Sequence, residues 1–336
     1  MSDNTKISWS DATANVINGC SLESPGCTNC YAMGQAHRFP VRQGLTVKTK
    51  GGMVWTGDVR FHEPALIQVL RWSRPRAVFW NAHGDTFHPS VPDAWIDRCF
   101  AAMALTPQHF HQVLTKRSGR MREYMATAMG RIADAVMALR RELGITSPVA
   151  PLPHVQPGAP WWPLANVWLG VSVEDQKRAE ERIPDLLATP AAVRWLSCEP
   201  LLGPVDLCNV NTMRFRGAEV VDALHGQKMG LFGEPAGILP KLDWIVVGGE
   251  SGHKARPMNP QWARSLRDQC ASASVPFHFK QNGEWVSVSE VEGFVGNPVH
   301  EFEDGRCVRK IGKKAAGRTL DGVTHDAMPL AMEKAA

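Results

Sequence analysis

The chain has 336 residues, of which 44% are hydrophobic and 21% are charged, a composition typical of a globular protein with a large core. Its formal net charge of +4 is compatible with a phosphate-bearing partner but too small for a protein that coats nucleic acid. The sequence contains no run of about 18 apolar residues, which is the length needed to span a bilayer. The polar segment 1–6 lacks the apolar core of a signal peptide. We therefore expect a cytoplasmic protein with reduced thiols.

Short apolar runs that alternate with helical patterns predict the elements of the chain. A first strand is expected near Val16-Ile17, a helix at 31–39 and a loop without regular structure at 43–57. Later strands are expected at 77–80, 111–115, 167–173, 193–197, 242–247 and 276–279. Helices are expected at 66–72, 92–106, 121–143, 175–188 and 260–273.

This alternation is typical of right-handed βαβ units around a parallel sheet, an α/β fold. Six to seven units favour a partial (β/α)6-type TIM barrel over an open dinucleotide-binding sheet, and no G-x-G-x-x-G opens a helix. We expect the barrel to occupy residues 1–285, with insertions near 144–165 and 207–240. Residues 286–336 would form a C-terminal extension.

Three cysteines, Cys20, Cys27 and Cys30, follow the first predicted strand at the spacing C-x6-C-x2-C. Gly19, Pro25 and Gly26 make this segment a turn, so the thiols can surround one centre. A long chain without a leader favours soft-metal ligation over disulfides. Either a fourth side chain closes a zinc site, for which His37 would complete a Cys3His set, or an iron keeps an open position.

In a barrel, functional residues lie on the loops after the carboxyl ends of the strands. Polar or small residues follow nearly every predicted strand, although loops are often polar for other reasons. They are Asp85 and Thr86, Lys116 and Arg117, Ser172 and Glu174, Cys198 and Glu199, Gly248, Gly249, Glu250 and Ser251, and Lys280 and Gln281.

Several longer stretches carry a family resemblance. They include Pro25-Gly26-Cys27-x-Asn29-Cys30-Tyr31-Ala32, Phe87-His88-x-x-Val91-Pro92, Leu114-Thr115-Lys116-Arg117, Cys198-Glu199-Pro200-Leu201, Val247-Gly248-Gly249-Glu250-Ser251-Gly252 and Phe279-Lys280-Gln281-x-Gly283-Glu284-Trp285. Over nearly the whole chain, these blocks resemble a phage and prophage family of three-cysteine-motif proteins without an assigned function. The cysteine loop resembles the cluster loop of the radical S-adenosylmethionine superfamily, although its first gap is six residues instead of the usual three.

The resemblance implies a [4Fe–4S] cluster on Cys20, Cys27 and Cys30, with S-adenosyl-L-methionine on the fourth iron. An electron from a donor such as a flavodoxin or ferredoxin would then release a 5′-deoxyadenosyl radical. The implied cofactor-binding residues are Tyr31, Asp85 (for the methionine ammonium), Thr86, Ser172 and Glu174 (for the ribose), Gly248 and Gly249. The implied catalytic or substrate-binding residues are Lys116, Arg117, Cys198, Glu199, Glu250, Ser251, Lys280 and Gln281.

The phage setting implied by the family suggests a nucleic-acid base or modified nucleotide as the substrate, as in hypermodification of phage DNA. The reaction could be an isomerisation, a transfer or a cleavage. Trp80 or Trp161 could stack on bases, and a C-terminal basic cluster could contact phosphates. That cluster comprises Arg306, Arg309, Lys310, Lys313, Lys314 and Arg318. The alternative is a zinc-stabilised nucleic-acid-binding protein without catalysis.

Overall fold

The computed structural model describes residues 5–146, 161–212, 220–230, 234–293 and 296–329. Most of the insertion expected near 144–165 lies outside these ranges. Among the helices of the described ranges, none combines the length and apolar character that a membrane crossing requires.

The described residues form seven α-helices and eighteen strands. The helices are α1 (Tyr31–Gln35), α2 (Glu63–Arg71), α3 (Asp93–Ala104), α4 (Ser118–Leu143), α5 (Gln176–Ala188), α6 (Pro260–Ser272) and α7 (Lys313–Ala316). The strands are β1 (Ala12–Ala14), β2 (Ile17–Asn18), β3 (Thr46–Thr49), β4 (Gly52–Trp55), β5 (Arg60–Phe61), β6 (Ala77–Trp80), β7 (Phe110–Thr115), β8 (Val167–Ser172), β9 (Val193–Cys198), β10 (Val210–Asn211), β11 (Val220–Asp222), β12 (Gln227–Met229), β13 (Pro235–Ile238), β14 (Trp244–Gly248), β15 (Phe277–Gln281), β16 (Trp285–Ser287), β17 (Val299–Glu301) and β18 (Cys307–Lys310).

The largest sheet has seven strands in the order β1-β6-β7-β8-β9-β14-β15. The pairs β1–β6, β6–β7, β9–β14 and β14–β15 are parallel. Helices connect most neighbouring strands, and the strands follow one another across the sheet in chain order. This topology confirms the α/β class and is consistent with a partial TIM-like barrel.

The chain divides into two compact units, of which the first comprises Met1–Glu23, Ala32–Gly170 and Ala188–Val193. Its core includes the fully buried faces of α3 and α4. The buried Ile96, Phe100 and Met103 recur at helical spacing on α3, because side chains three or four residues apart share one helix face. Gly144, at a φ of 62°, ends α4 in the left-handed conformation that glycine favours.

The second unit comprises Ser24–Tyr31, Val171–Leu187 and Arg194–Ala336. Its strands β14 and β15 are almost entirely buried, as their apolar sequences require. The insertion expected at 207–240 forms an antiparallel sheet in the order β10-β11-β12-β13. The described part of the C-terminal extension contributes a second antiparallel sheet, β16-β18-β17.

Two expectations about the N-terminal part of the chain are wrong. The first strand of the large sheet is β1, whereas Ile17 belongs to β2, which pairs antiparallel with β5. Segment 43–57 is not irregular, because β3 and β4 pair as a hairpin within it. Strand β1 is short and is defined by its pairing with β6, which is far away in the chain. The hairpin, in contrast, pairs two short strands that are adjacent in the chain.

His111 on β7 is a buried, neutral imidazole. The Trp80 indole Nε1–H donates to His111 Nδ1 at 3.0 Å, so this nitrogen carries no proton. His111 Nε2 lies 3.0 Å from Thr106 Oγ1, whose own hydroxyl donates to the Ala102 carbonyl, so Nε2–H donates to Thr106. Burial, followed by the effect of His109, lowers the His111 pKa to about 3. Trp80 is 1% exposed and is not available to stack on a base.

We predict that His111 makes the protein less stable in acid. In the unfolded chain, histidine binds a proton below a pH of about 6.5, whereas folded His111 resists protonation until about pH 3. Between these values its contribution to the free energy of unfolding falls by about 1.4 kcal/mol per pH unit. Urea unfolding of His111→Gln should therefore show a shallower acid slope than wild type. His253→Gln, at an exposed histidine, is the control, and parallel curves for wild type and H111Q would contradict the prediction.

Candidate functional site

In the first unit, Asp85 and Arg117 form a buried ion pair beyond the carboxyl ends of β6 and β7. Arg117 Nη1 donates to Asp85 Oδ2 at 2.8 Å, and the two side chains are 6% and 7% exposed. Asp85 Oδ1 also accepts from Thr115 Oγ1 at 2.7 Å and from the Phe87 amide at 2.9 Å. The Lys116 amide lies 3.3 Å from Oδ2. Both oxygens of this carboxylate are thus engaged within the unit.

Arg117 connects this pair to the start of the cysteine loop. Its Nη2 donates to the Ser21 carbonyl at 3.1 Å and to Ser21 Oγ at 2.9 Å, and its Nη1 lies 3.7 Å from Cys20 Sγ. Burial alone would lower the Arg117 pKa, but the Asp85 carboxylate and the Cys20 sulfur raise it above its usual value. Arg117 thus places a permanent positive charge beside Cys20 Sγ. Glu23, 3.6 Å from Arg117 Nη2, adds an outer partner.

His88 contacts the same residue of the loop, Ser21. Its Nδ1 accepts from the Ser90 amide at 3.2 Å, so the ring proton is on Nε2, which donates to Ser21 Oγ at 2.9 Å. Burial and the charge of Arg117 lower the His88 pKa, which keeps this imidazole neutral. Ser21 Oγ therefore accepts hydrogen bonds from both Arg117 and His88.

In the second unit, the Glu174 carboxylate supports residues 24–26 of the loop. It is fully buried and bonds Arg182 Nη1 at 2.9 Å through Oε2, while its Oε1 accepts from Ser24 Oγ at 2.6 Å. Arg182 also donates to the Ser172 carbonyl at 2.8 Å. A Cβ added to Gly26 would lie 2.3 Å from Glu174 Oε1, so only glycine fits beside this carboxylate without displacing it.

Glu250, after β14, supports residues 25–29 of the same loop. Its Oε2 accepts from Asn29 Nδ2 at 3.0 Å and from the Arg256 amide at 2.8 Å, and its Oε1 bonds Arg256 Nη2 at 2.5 Å. Arg256 Nη1 donates to the Pro25 carbonyl at 3.0 Å. Burial alone would raise the Glu250 pKa, but the hydrogen bonds from Arg256 and Asn29 lower it below its usual value. Glu250 is therefore an ionised anchor of the loop.

Cys27 and Cys30 lie on the part of the loop that these anchors hold. A 3-10 helix spans Pro25–Cys27, and the Cys30 amide donates to the Cys27 carbonyl at 3.2 Å. Cys27 is buried and Cys30 half-buried, whereas the Tyr31 side chain is exposed. None of the eight cysteines forms a disulfide. The loop thus presents reduced thiols on a backbone held by long-range hydrogen bonds.

Three further strand-end candidates of the second unit, Glu199, Gly248 and Lys280, lie close together. Lys280 Nζ lies 3.0 Å from Glu199 Oε1, and a Cβ on Gly248 would lie 2.7 Å from that same oxygen. A Cβ on Gly249 would lie 2.0 Å from the Asn282 carbonyl oxygen, so close packing within the unit already requires glycine there. The predicted approach of Gly248 and Gly249 to a cofactor stays a prediction.

The other candidates take part in local packing or hydrogen bonding. Burial raises the Cys198 pKa well above its ordinary value, so this thiol stays protonated. Gln281 Nε2 donates to the Gly249 carbonyl at 3.0 Å. Thr86 Oγ1 accepts from Asn81 Nδ2 at 2.8 Å, and Ser251 is half-buried.

Sequence reasoning did not select several residues that hold the loop. They are Ser21, Ser24, Asn29, His88, Arg182 and Arg256. The local sequence around these residues gives little indication of their role, because most of them lie in turns or on a charged helix. Most of their hydrogen-bond partners are far away in the chain. His88 and Asn29 stood within the motif blocks that carried the family resemblance, which is the signal that could have found them.

We predict that Asp85→Asn destabilises the protein by about 3–5 kcal/mol, because it leaves the buried Arg117 guanidinium without a counter-charge. Asp93→Asn is the control, since Asp93 pairs with Arg120 at a half-exposed position, where loss of the charge costs about 1 kcal/mol or less. Chemical denaturation measures both. Equal stability of the two variants would show that Asp85 does not serve as the counter-charge for Arg117.

The sequence profile of one family matches residues 4–329, and its description is a protein of unknown function, DUF5131. No curated protein and no solved structure shows significant similarity to the chain. Because the match extends over nearly the whole sequence, it includes the cysteine loop and all the anchoring residues described above. The chain belongs to the DUF5131 family of proteins of unknown function.

Proposed function

We propose that this protein is a radical S-adenosylmethionine enzyme whose [4Fe–4S] cluster is held by Cys20, Cys27 and Cys30. The observation that carries the proposal is the way in which this loop is fixed. Three carboxylate–arginine pairs, in each of which the carboxylate is buried, have a partner on the loop: Asp85–Arg117, Glu174–Arg182 and Glu250–Arg256. Long-range ion pairs and hydrogen bonds that hold a loop with three thiols are typical of a cofactor site, where the ligands must be pre-organised.

The donor set fits an iron–sulfur cluster. Three cysteines within eleven residues supply the thiolates that such clusters require, and a cluster with three protein ligands keeps one iron open. The guanidinium 3.7 Å from Cys20 Sγ suits an anionic, metal-bound sulfur. His37, the fourth ligand of the zinc alternative, is an exposed residue of the 3-10 helix Ala36–Arg38.

When bound, the cluster and S-adenosyl-L-methionine would supply the radical chemistry, with the electron coming from a donor protein. The chain's own task is to hold the ligands and limit access of water. In this scheme Asp85 positions Arg117, and Arg117 orients residues 20 and 21. Glu174 and Glu250 act as anchors of residues 24–29. We assign these carboxylates to positioning in preference to direct binding of the ribose or the methionine ammonium, because their oxygens are already engaged.

The substrate proposed for this site is a nucleic-acid base or modified nucleotide. The C-terminal basic cluster gives limited support, because Arg306 pairs with Asp304 at 2.8 Å and Arg318 pairs with Asp326. Lys310 lies over the Trp285 ring, 5.8 Å from its centroid. Lys314 is exposed on α7 and is the best placed of the set to meet a phosphate.

We predict that anaerobically reconstituted protein binds about four irons and four sulfides per chain and produces 5′-deoxyadenosine from S-adenosyl-L-methionine under a strong reductant. Cys20→Ala, Cys27→Ala and Cys30→Ala should each lose iron and this activity. Cys307→Ala is the control, since Cys307 is a half-buried thiol outside the loop. Iron and sulfide assays, absorption spectra and product analysis give the readouts. A colourless preparation with one zinc bound by the loop, and no 5′-deoxyadenosine, would refute the proposal and favour the zinc alternative.

We also predict salt-sensitive binding to DNA. Each phosphate that a lysine neutralises makes the slope of log affinity against log salt more negative by about 0.9. The double variant Lys313→Ala/Lys314→Ala removes two lysines and should therefore make this slope less steep. Lys48→Ala/Lys50→Ala, at exposed lysines of the β3–β4 hairpin, is the matched control. Fluorescence anisotropy with duplex DNA at several salt concentrations measures the slopes. Binding without a salt slope would contradict the prediction.

A further inference from the structure

A second group of potential metal ligands lies in the antiparallel sheet between β9 and β14, apart in sequence from the cysteine loop. It consists of Cys208, Asp222 and His225, whose Sγ, carboxylate oxygen and imidazole nitrogen all lie within 4.8 Å of one another. Cys208 precedes β10, Asp222 ends β11, and His225 is in the turn before β12. The antiparallel pairing of Val210 with Val221 brings Cys208 beside Asp222.

The Asp222 carboxylate is the centre of this group, and its orientation is fixed. Its Oδ1 accepts from the amides of Leu224 at 3.1 Å and His225 at 3.0 Å. Its Oδ2 accepts from His225 Nδ1 at 2.8 Å, and the Cys208 thiol also hydrogen-bonds this carboxylate. The imidazole N–H of His225 and the thiol S–H of Cys208 therefore both point at the Asp222 carboxylate. In this arrangement a cation could take the place of the two hydrogens.

The Cys208 backbone is fixed as well. Asp206 Oδ1 accepts from the Cys208 amide at 3.0 Å and from the Asn209 amide at 3.1 Å. Asp206 also brings a second negative charge close to the thiol. The group thus has a fixed sulfur, a fixed oxygen and a surplus of negative charge, while the half-exposed His225 leaves a path for a solvated ion to enter.

A nucleophilic role for Cys208 does not fit this arrangement. In a cysteine–histidine pair the imidazole removes the thiol proton, whereas here the Asp222 carboxylate is hydrogen-bonded to both groups. Burial and the neighbouring carboxylates raise the Cys208 pKa to about 11, the opposite of the shift that activates a thiol. A mixed sulfur, nitrogen and oxygen set is instead the ligand chemistry of zinc, and the sulfur disfavours magnesium and calcium.

We propose that Cys208 Sγ, Asp222 Oδ2 and His225 Nδ1 bind a Zn²⁺ ion, with a water molecule as the fourth ligand. On binding, the thiol proton passes to solvent. The proton that His225 Nδ1 donates to Asp222 also leaves, and Nε2 takes one up from solvent, so the imidazole that binds the ion through Nδ1 is neutral. The ion joins the segment before β10, the end of β11 and the turn before β12. It would therefore stabilise the antiparallel sheet that occupies the place of a helix between β9 and β14.

The test measures zinc and iron in the same samples of full-length protein, after equilibration with zinc and removal of the excess. Wild type should hold one more zinc per chain than Cys208→Ser or His225→Gln, with iron unchanged in all three. His225→Gln changes an exposed turn, so its unchanged iron content also reports an intact fold. Cys307→Ser, at a half-buried thiol outside both sites, should keep the zinc.

A thermal scan supplies the second readout. Added zinc should raise the melting temperature of wild type and of Cys307→Ser, and should have little effect on Cys208→Ser or His225→Gln, because only a ligand that binds the folded state stabilises it. Equal zinc content in wild type and in both site variants would overturn the proposal. The proposal would also be overturned if zinc were lost only on replacement of Cys20, Cys27 and Cys30. This outcome does not depend on the iron content, which tests the proposed cluster separately.

Discussion

The candidate site depends on the high cost of an unpaired charge in a protein interior. Glu174 is fully buried, and a carboxylate at such a place is stable in its ionised form only with a partner such as Arg182. The same constraint applies to Asp85 with Arg117. Because each pair also bonds part of the segment 20–29, the requirement for charge pairing fixes a loop that has little regular structure of its own. The cysteines are carried on this fixed backbone.

Much of the large sheet could be predicted from the sequence. The apolar run Ala77–Trp80 matches β6 residue for residue, since a buried parallel strand needs apolar side chains on both faces. Strand β1 was missed because Ala12–Ala14 is short and of low β-propensity, whereas the more β-prone Ile17 pairs outside the large sheet. The sequence does not reveal the β3–β4 hairpin, because half of its strand residues are exposed and only Trp55 is buried, so it carries little apolar alternation.

The sequence predicts where the candidate site lies, but it does not predict the hydrogen-bond and ion-pair partners of the site residues. Barrel topology indicates that residues after the strands are functional, and this reasoning selected Asp85, Arg117, Glu174 and Glu250. Their partners come from folding over long distances: Asn29 and Glu250 are 221 residues apart in the chain. No local pattern reveals such a pair. The tight fit of Gly26 against Glu174 is likewise invisible until the two segments meet.

The burial of Cys198 has a consequence for handling the protein. Together with Cys99 and Cys270, it is a buried thiol whose pKa is raised mainly by loss of solvent, so these three are poor targets for alkylating reagents and peroxide. Cys20 differs from these three, because it is half-buried and its sulfur lies 3.7 Å from the Arg117 guanidinium. Brief exposure to a thiol-directed reagent would therefore sort the cysteines by their surroundings. Mass spectrometry of the labelled peptides would then report on the packing of β9, of helices α3 and α6 and of the loop in a single sample.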